Sequence, residues 1–236
     1  MKNKQNKYIK LLKDIYKNPR GKAILFFVFY FFFFLILIIM IRTNSTINNG
    51  TVENKNNLNY SLESITNGNY HYAYKINLNN IEHIYEGDKL NSKEKFTYIY
   101  NNISTNYYRN NDLFLKEVDS NWNKTENPYI LKEFLNIDML KTIITSSSYI
   151  SKTEYESGRV VYHYNISTTT LLKLLENTNI DIDDIPNKID ITTNNKEVDQ
   201  INYTLDSYCK YIDNNSNTCN IEMKYSNFDK ITNIEL

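Results

Sequence analysis

Three kinds of hydrophobic pattern follow one another along the chain. Residues 23–41 are apolar without a break and carry no charge over nineteen positions. As a helix this run would cover about 28 Å, close to the hydrocarbon thickness of a bilayer, and it has no polar stripe to turn toward water. From residue 59 onward the period falls to two. Tyr70, Tyr72, Tyr74, Ile76 and Leu78 fall on one face of a strand, with His71, Lys75 and Asn77 on the other, and Phe96, Tyr98 and Tyr100 repeat the alternation. Hairpins are predicted from Tyr107-Tyr108 to 113–116 across Asn110-Asn111, from 149–155 to 160–166 across 156–159, and from Ile189 and Ile191 to Val198 across Asn194-Asn195. Roughly ten strands result, antiparallel because their connections are short. Two stretches break the alternation with helical spacing: 128–146, with Ile130, Leu131, Phe134, Leu135, Ile137, Met139, Leu140, Ile143 and Ile144, and 168–177, where a Thr run that can cap precedes Leu171, Leu172, Leu174 and Leu175. The pattern is that of an α+β domain, an antiparallel sheet with two short helices covering one face.

The flanks of the apolar run orient it. Lys2, Lys4, Lys7, Lys10, Lys13, Lys17, Arg20 and Lys22 precede it against Asp14 alone, whereas Arg42 follows it and then a neutral stretch. The positive-inside rule therefore puts the N-terminus in the cytoplasm and the C-terminal part outside. The run exceeds the apolar core of a signal peptide, about 7–15 residues, and no small-residue cleavage site follows Met40, so retention as a signal anchor is expected. The organisation read from the sequence is a basic cytoplasmic segment over 1–22, a transmembrane helix over 23–41 in contact with the lipid bilayer, a flexible stalk over 42–58, and an extracytoplasmic β-rich domain over 59–236. Tyr8, Ile9, Leu11, Leu12, Ile15 and Tyr16 among the lysines also make a basic amphipathic pattern suited to an anionic leaflet, although orientation alone accounts for the lysines.

Composition narrows the chemistry. The 236 residues hold 27 Lys+Arg against 27 Asp+Glu, so bulk charge gives no hold on nucleic acid. Three His and two Cys are too few for a His/Cys-built zinc or iron–sulfur site, and five Gly leave little for phosphate-cradling loops. His71, His83 and His163 fall in three separate strands, and no nucleophile-elbow or zinc-protease motif occurs. Asp181, Asp183 and Asp184 form a tight acidic group without the Gly and closing Glu of a calcium loop, which suits a solvated loop. No catalytic residue, metal or cofactor is expected, and the chain does not read as an enzyme. Trp122 reads as a packing residue. The abundance of Asn, rising together with Lys, Ile and Tyr, reads as a compositional bias of the genome.

Cys209 and Cys219 flank an Asn-rich turn. A hairpin centred on Asn214 would set Cys209 opposite Cys219, Leu205 opposite Met223 and Tyr203 opposite Tyr225, which keeps apolar partners together. In an oxidising compartment such a pair forms a disulfide, and without a C-x-x-C spacing it is structural rather than redox-active.

The order of these elements resembles the LolA/LppX-like group of bacterial cell-envelope proteins. Hairpins with a Trp just after the second, here 113–116 and then Asn121-Trp122-Asn123-Lys124, precede a helical segment. A hairpin over 153–164, a Leu-rich helix and long final strands ending at 224–231 follow. The resemblance covers roughly residues 60–236. It implies a strongly curved antiparallel sheet, a half-barrel, with helices over its concave side and a cavity that takes lipids or acyl chains. Leu131, Phe134, Leu135, Leu140, Leu171, Leu174, Leu175, Tyr203, Leu205, Met223 and Tyr225 would line such a cavity, and the same side chains would equally fill an ordinary core. Many members of the group are lipoproteins or secreted free, whereas this chain is expected to keep its anchor. A stalk of about 16 residues reaches only about 20–24 Å, which suits holding a ligand at the outer membrane surface rather than shuttling it. The expected function is therefore anchored binding of a lipid or other apolar envelope ligand. The alternative is a sensory domain, or one that binds an envelope protein partner, without a cavity.

Overall fold

The computed structural model describes residues 19–20, 30–34, 58, 61–66, 68–182, 185–213 and 218–236. The chain forms two compact units, Met1–Lys55 and Asn56–Leu236. In the first, residues 30–34 are helical and the side chains of Tyr30, Phe31, Phe32, Phe33 and Phe34 are exposed. The remainder of the apolar run 23–41, nearly all of the basic segment and the stalk up to residue 57 lie outside the described residues. Among the described residues no helix is long and apolar enough to cross a membrane.

The second unit is built on one antiparallel sheet of eleven strands. A meander runs through β1 (Asn69–Leu78), β2 (Ile81–Leu90), β3 (Lys93–Tyr100), β4 (Ile103–Asn110), β5 (Leu113–Val118) and β6 (Asn121–Thr125). After helix α1 (Ile137–Ser146) come β7 (Ser148–Glu154) and β8 (Arg159–Ile166), then α2 (Thr168–Leu175), β9 (Asn187–Asn194), β10 (Glu197–Thr204), α3 (Asp206–Ile212) and β11 (Cys219–Ser226). The strand order is β6-β5-β4-β3-β2-β1-β11-β10-β9-β8-β7, so the sheet is curved but unclosed, and β6 and β7 are its two edges.

The hairpin turns give part of the Asn a structural role. Asn79-Asn80, Asn101-Asn102, Asp119-Ser120 and Asn195-Lys196 each have both central residues at positive φ, the mirror-image turn whose twist matches that of the flanking strands. Asn tolerates that region better than any residue but Gly.

Alternation then sorts the strands into two faces. On the inner face Tyr70, Tyr72, Tyr74 and Ile76 of β1 continue into Tyr225, Met223 and Ile221 of β11, and through Ile201 and Tyr203 of β10 to Ile191 and Ile189 of β9. The helices cover this face. Leu140, Ile143 and Ile144 of α1, Leu171 and Leu172 of α2, and Tyr208 and Cys209 of α3 are buried in the same core. Asn136 caps α1, its side chain accepting from the Asp138 and Met139 amides, and Ser167 rather than the Thr run caps α2. The helical residues 61–66 add Leu62 and Ile65 to the core together with Leu58, the last residue of the stretch that composition assigns to the stalk.

Two expectations are corrected. The segment 128–146 is helical only from Ile137, and residues 130–135 form turns. The hairpin centred on Asn214 does not form: β10 ends at Thr204, and Ile201 faces Met223 while Tyr203 faces Ile221, four positions away from the expected register. The chain turns into α3 instead because Leu205, Tyr208, Cys209 and Ile212 have helical spacing, which buries Leu205, Tyr208 and Cys209 together. Asp206 Oδ1 accepts from the Cys219 amide at 2.8 Å and fixes the return into β11. The disulfide between Cys209 and Cys219 is present all the same, with Cα atoms 6.2 Å apart, because one turn of helix carries Cys209 back over the start of β11.

Candidate functional site

The connection from β6 to β7 must travel from one edge of the sheet to the other. Ten inter-strand steps make the flattened sheet about 48 Å wide. Residues 126–147, ten of them helical, reach about 55 Å at most. The segment therefore runs as a strap across the inner face, where curvature shortens the path. Tyr129 pins its first part. The ring stacks on Phe96 and lies tilted against Tyr85, with centroids 5.0 and 4.8 Å away, while Tyr85 Oη donates to the Pro128 carbonyl and accepts from the Ile130 amide.

Between this strap and β1–β4 lies a cleft of about 640 Å³. Its apolar wall comes from Ile65, Tyr74, Leu135, Ile137 and Met139. Its polar end is one row of side chains across neighbouring strands, since Lys89 of β2 pairs with Glu94 of β3, and Glu94 with Arg109 of β4. Glu94 is 5 % exposed. Arg109 Nη1 donates to its Oε1 at 3.0 Å, Lys89 Nζ lies 3.5 Å from the same oxygen, and Tyr129 Oη donates to Oε2 at 3.0 Å. With its proton committed there, Tyr129 receives the Tyr72 hydroxyl at 2.7 Å. Burial pushes the phenols of Tyr72, Tyr74 and Tyr129 well above their ordinary range, so they stay neutral donors. Gly87 allows the close packing beside this row: a Cβ there would sit 2.3 Å from the Lys95 carbonyl oxygen and 2.4 Å from Phe96 Cβ. Lys132, Glu133 and Asp138 add charges of both signs along the strap.

Of the eleven residues expected to line a cavity, Leu135 borders this cleft. Phe134, Leu140, Leu171, Tyr203, Leu205, Met223 and Tyr225 are buried in the core, and Leu131, Leu174 and Leu175 pack half-buried against it. The ion row escaped the sequence reading although a signal was there. Glu94 is in phase with Phe96 and Tyr98, and Arg109 with Tyr107, so the alternation itself puts two charges on the apolar face.

The three histidines do not meet. His71 and His163 are each within hydrogen-bond distance of a cross-strand carboxylate, Asp88 at 2.8 Å and Asp190 at 2.7 Å. Thr153 Oγ1 lies 3.1 Å from the other nitrogen of His163, and these groups stand on the outer face of the sheet. His83 lies at the far end of the inner face against Tyr98 and Tyr100, and burial lowers its pKa. Among the described residues no group of three His, Cys, Asp or Glu is placed to hold a metal ion. Asp183 and Asp184 of the acidic group lie outside the described residues. Trp122 packs edge-on against Tyr108, with Lys95 over its ring.

No protein-family model and no curated protein matches the chain. Among solved structures the chain is similar to LprF from Mycobacterium bovis, at 10% sequence identity over 78% of this chain and 96% of that chain, with a TM-score of 0.45.

Proposed function

We propose that the β-rich unit is a non-catalytic extracytoplasmic binding domain for a lipid or other amphiphilic envelope ligand, held at the cell membrane by residues 23–41 with the N-terminus in the cytoplasm. The observation that carries this reading is the cleft under the strap. Its volume of about 640 Å³ lies within the range of small-ligand sites, about 300–1,000 Å³, and it joins an apolar wall to a charged end, the two halves of an amphiphile. The anchor follows from the apolar run and the lysines before it.

Displacement of a fluorescent long-chain fatty acid tests the reading. Thr142 is exposed at the mouth of the cleft on α1, so Thr142→Trp fills the site without touching the core. Saturable probe binding that falls at least severalfold in Thr142→Trp is the expected result. Binding that ignores the substitution would move the ligand elsewhere.

A second reading has its own observation. Ile81, Tyr100 and Ile103, the last 68% exposed, form an apolar surface beside the stacked His83 and Tyr98. Such a patch suits a protein partner in the envelope. Loss of partner capture in Ile103→Lys, with probe binding intact, would favour it.

A further inference from the structure

We infer that the cleft selects an amphiphile whose head group is an oxyanion, a phosphate or a carboxylate, bound by Arg109 and Lys89. The inference rests on reading the cleft as a ligand site and adds the chemistry of the head. It follows from counting donors and acceptors at the polar end. Glu94 is the sole carboxylate in the buried row, and both its oxygens are occupied, Oε1 by Arg109 and Lys89 and Oε2 by Tyr129. An incoming cation would meet two cations there, and the one carboxylate of the row is already engaged on both oxygens.

The donors are in surplus. Of its five N–H groups, Arg109 uses Nε on the Asn111 carbonyl at 2.7 Å and one on Nη1 for Glu94. Its side chain is still 33% exposed, and its guanidinium carbon lies 5.2 Å from the centre of the Phe114 ring. Among the described residues Lys89 has one ionic contact, the 3.5 Å approach to Glu94, and its ammonium lies 5.7 Å from the centre of the Tyr70 ring. Two cations against one saturated carboxylate leave this row with one net positive charge. An oxyanion brings the acceptors that the spare N–H groups lack, in the bidentate geometry a guanidinium favours. Glu133 and Asp138 oppose this pull from the strap and Lys132 assists it, but they are more exposed than Glu94 and so more strongly screened.

The test uses the full chain in non-ionic detergent, with retained ligands read by native mass spectrometry. An equimolar mixture of oleate, oleoyl lysophosphatidate and monooleoylglycerol is offered, and inorganic phosphate is offered separately. Both anionic amphiphiles are expected to be retained about tenfold over the uncharged one, the equilibrium effect of one charged hydrogen bond. Lys89→Gln should remove most of that preference. Glu94→Gln, which raises the row by one charge while keeping an acceptor for Arg109, should increase it. These opposite directions separate recognition from damage to the fold, and retention of monooleoylglycerol reports an intact cleft in each variant. Equal retention of all three amphiphiles would overturn this inference and leave the cleft as a lipid site. Phosphate bound without any amphiphile would keep the oxyanion site and overturn the lipid reading. Retention of nothing would overturn both.

Discussion

Glu94 shows what a fold must supply to bury a single charge. A carboxylate this buried is stable because Arg109, Lys89 and Tyr129 surround it, and truncating one partner leaves charge without a match. Arg109→Ala is therefore expected to lower unfolding free energy by about 2–4 kcal/mol in urea titrations, more than the loss of an exposed ion pair. Replacing Lys75 or Glu82, an exposed pair on the opposite face, should change stability far less, because water screens it. Gly87 is a second sensitive position. Its strand neighbours leave no room for a methyl group, so Gly87→Ala should cost about 1–3 kcal/mol through displacement of β3. Charges in phase with aromatic residues were visible in the sequence. The space around Gly87 was not, because it depends on how closely β2 and β3 pack at that point.

At the scale of elements, hairpins were the most legible feature. Their boundaries at 107–116, 149–166 and 189–198 follow from alternation punctuated by turn residues, and the structure places β4–β5, β7–β8 and β9–β10 there. The Asn content that composition alone assigns to genome bias also serves turns, since most of the described residues at positive φ are Asn. What local pattern did not reveal was the switch from β10 into α3. Ile201, Tyr203 and Leu205 satisfy period two, whereas Leu205, Tyr208, Cys209 and Ile212 satisfy the helical period, and Leu205 belongs to both. The competition was settled by tertiary contacts: Asn187 Oδ1 accepts the Tyr208 amide, and Tyr208 Oη donates to Glu176. The Cys209–Cys219 bond closes a short loop, ten residues in separation. Replacing both cysteines by serine should lower stability by about 2–3 kcal/mol, the low end for disulfides, and leave the fold intact by circular dichroism.

The β-rich unit as a whole is organised by one topological fact: consecutive strands β6 and β7 stand at opposite edges of an eleven-stranded sheet. The strap this requires creates the cleft, and helical spacing in 128–146 announced the segment without announcing its path. Seven of the expected lining residues became core because the strap, α2 and α3 press directly onto β8–β11, while the space remained over β1–β4. That inner face is unusually rich in buried phenols. Burial raises the pKa of Tyr72, Tyr74 and Tyr129 in the folded state, while the unfolded chain keeps the ordinary value of 10.0. Below that value both states hold the protons and stability is unaffected. Above it the unfolded state releases protons that the folded state retains, so stability falls as pH rises. Unfolding midpoints should therefore be flat from pH 8 to about 9.5 and drop steeply beyond about pH 10, with tyrosinate absorbance appearing together with unfolding.

If the space under the strap holds an amphiphile, that ligand should travel with the protein through purification. Native mass spectrometry of the full chain, purified from membranes in mild detergent without added lipid, tests it most directly. A bound lipid-sized mass that is lost on denaturation is expected, with a marked loss of that mass in Thr142→Trp. A polypeptide carrying no ligand in either form, two mass units light for its disulfide, would contradict it.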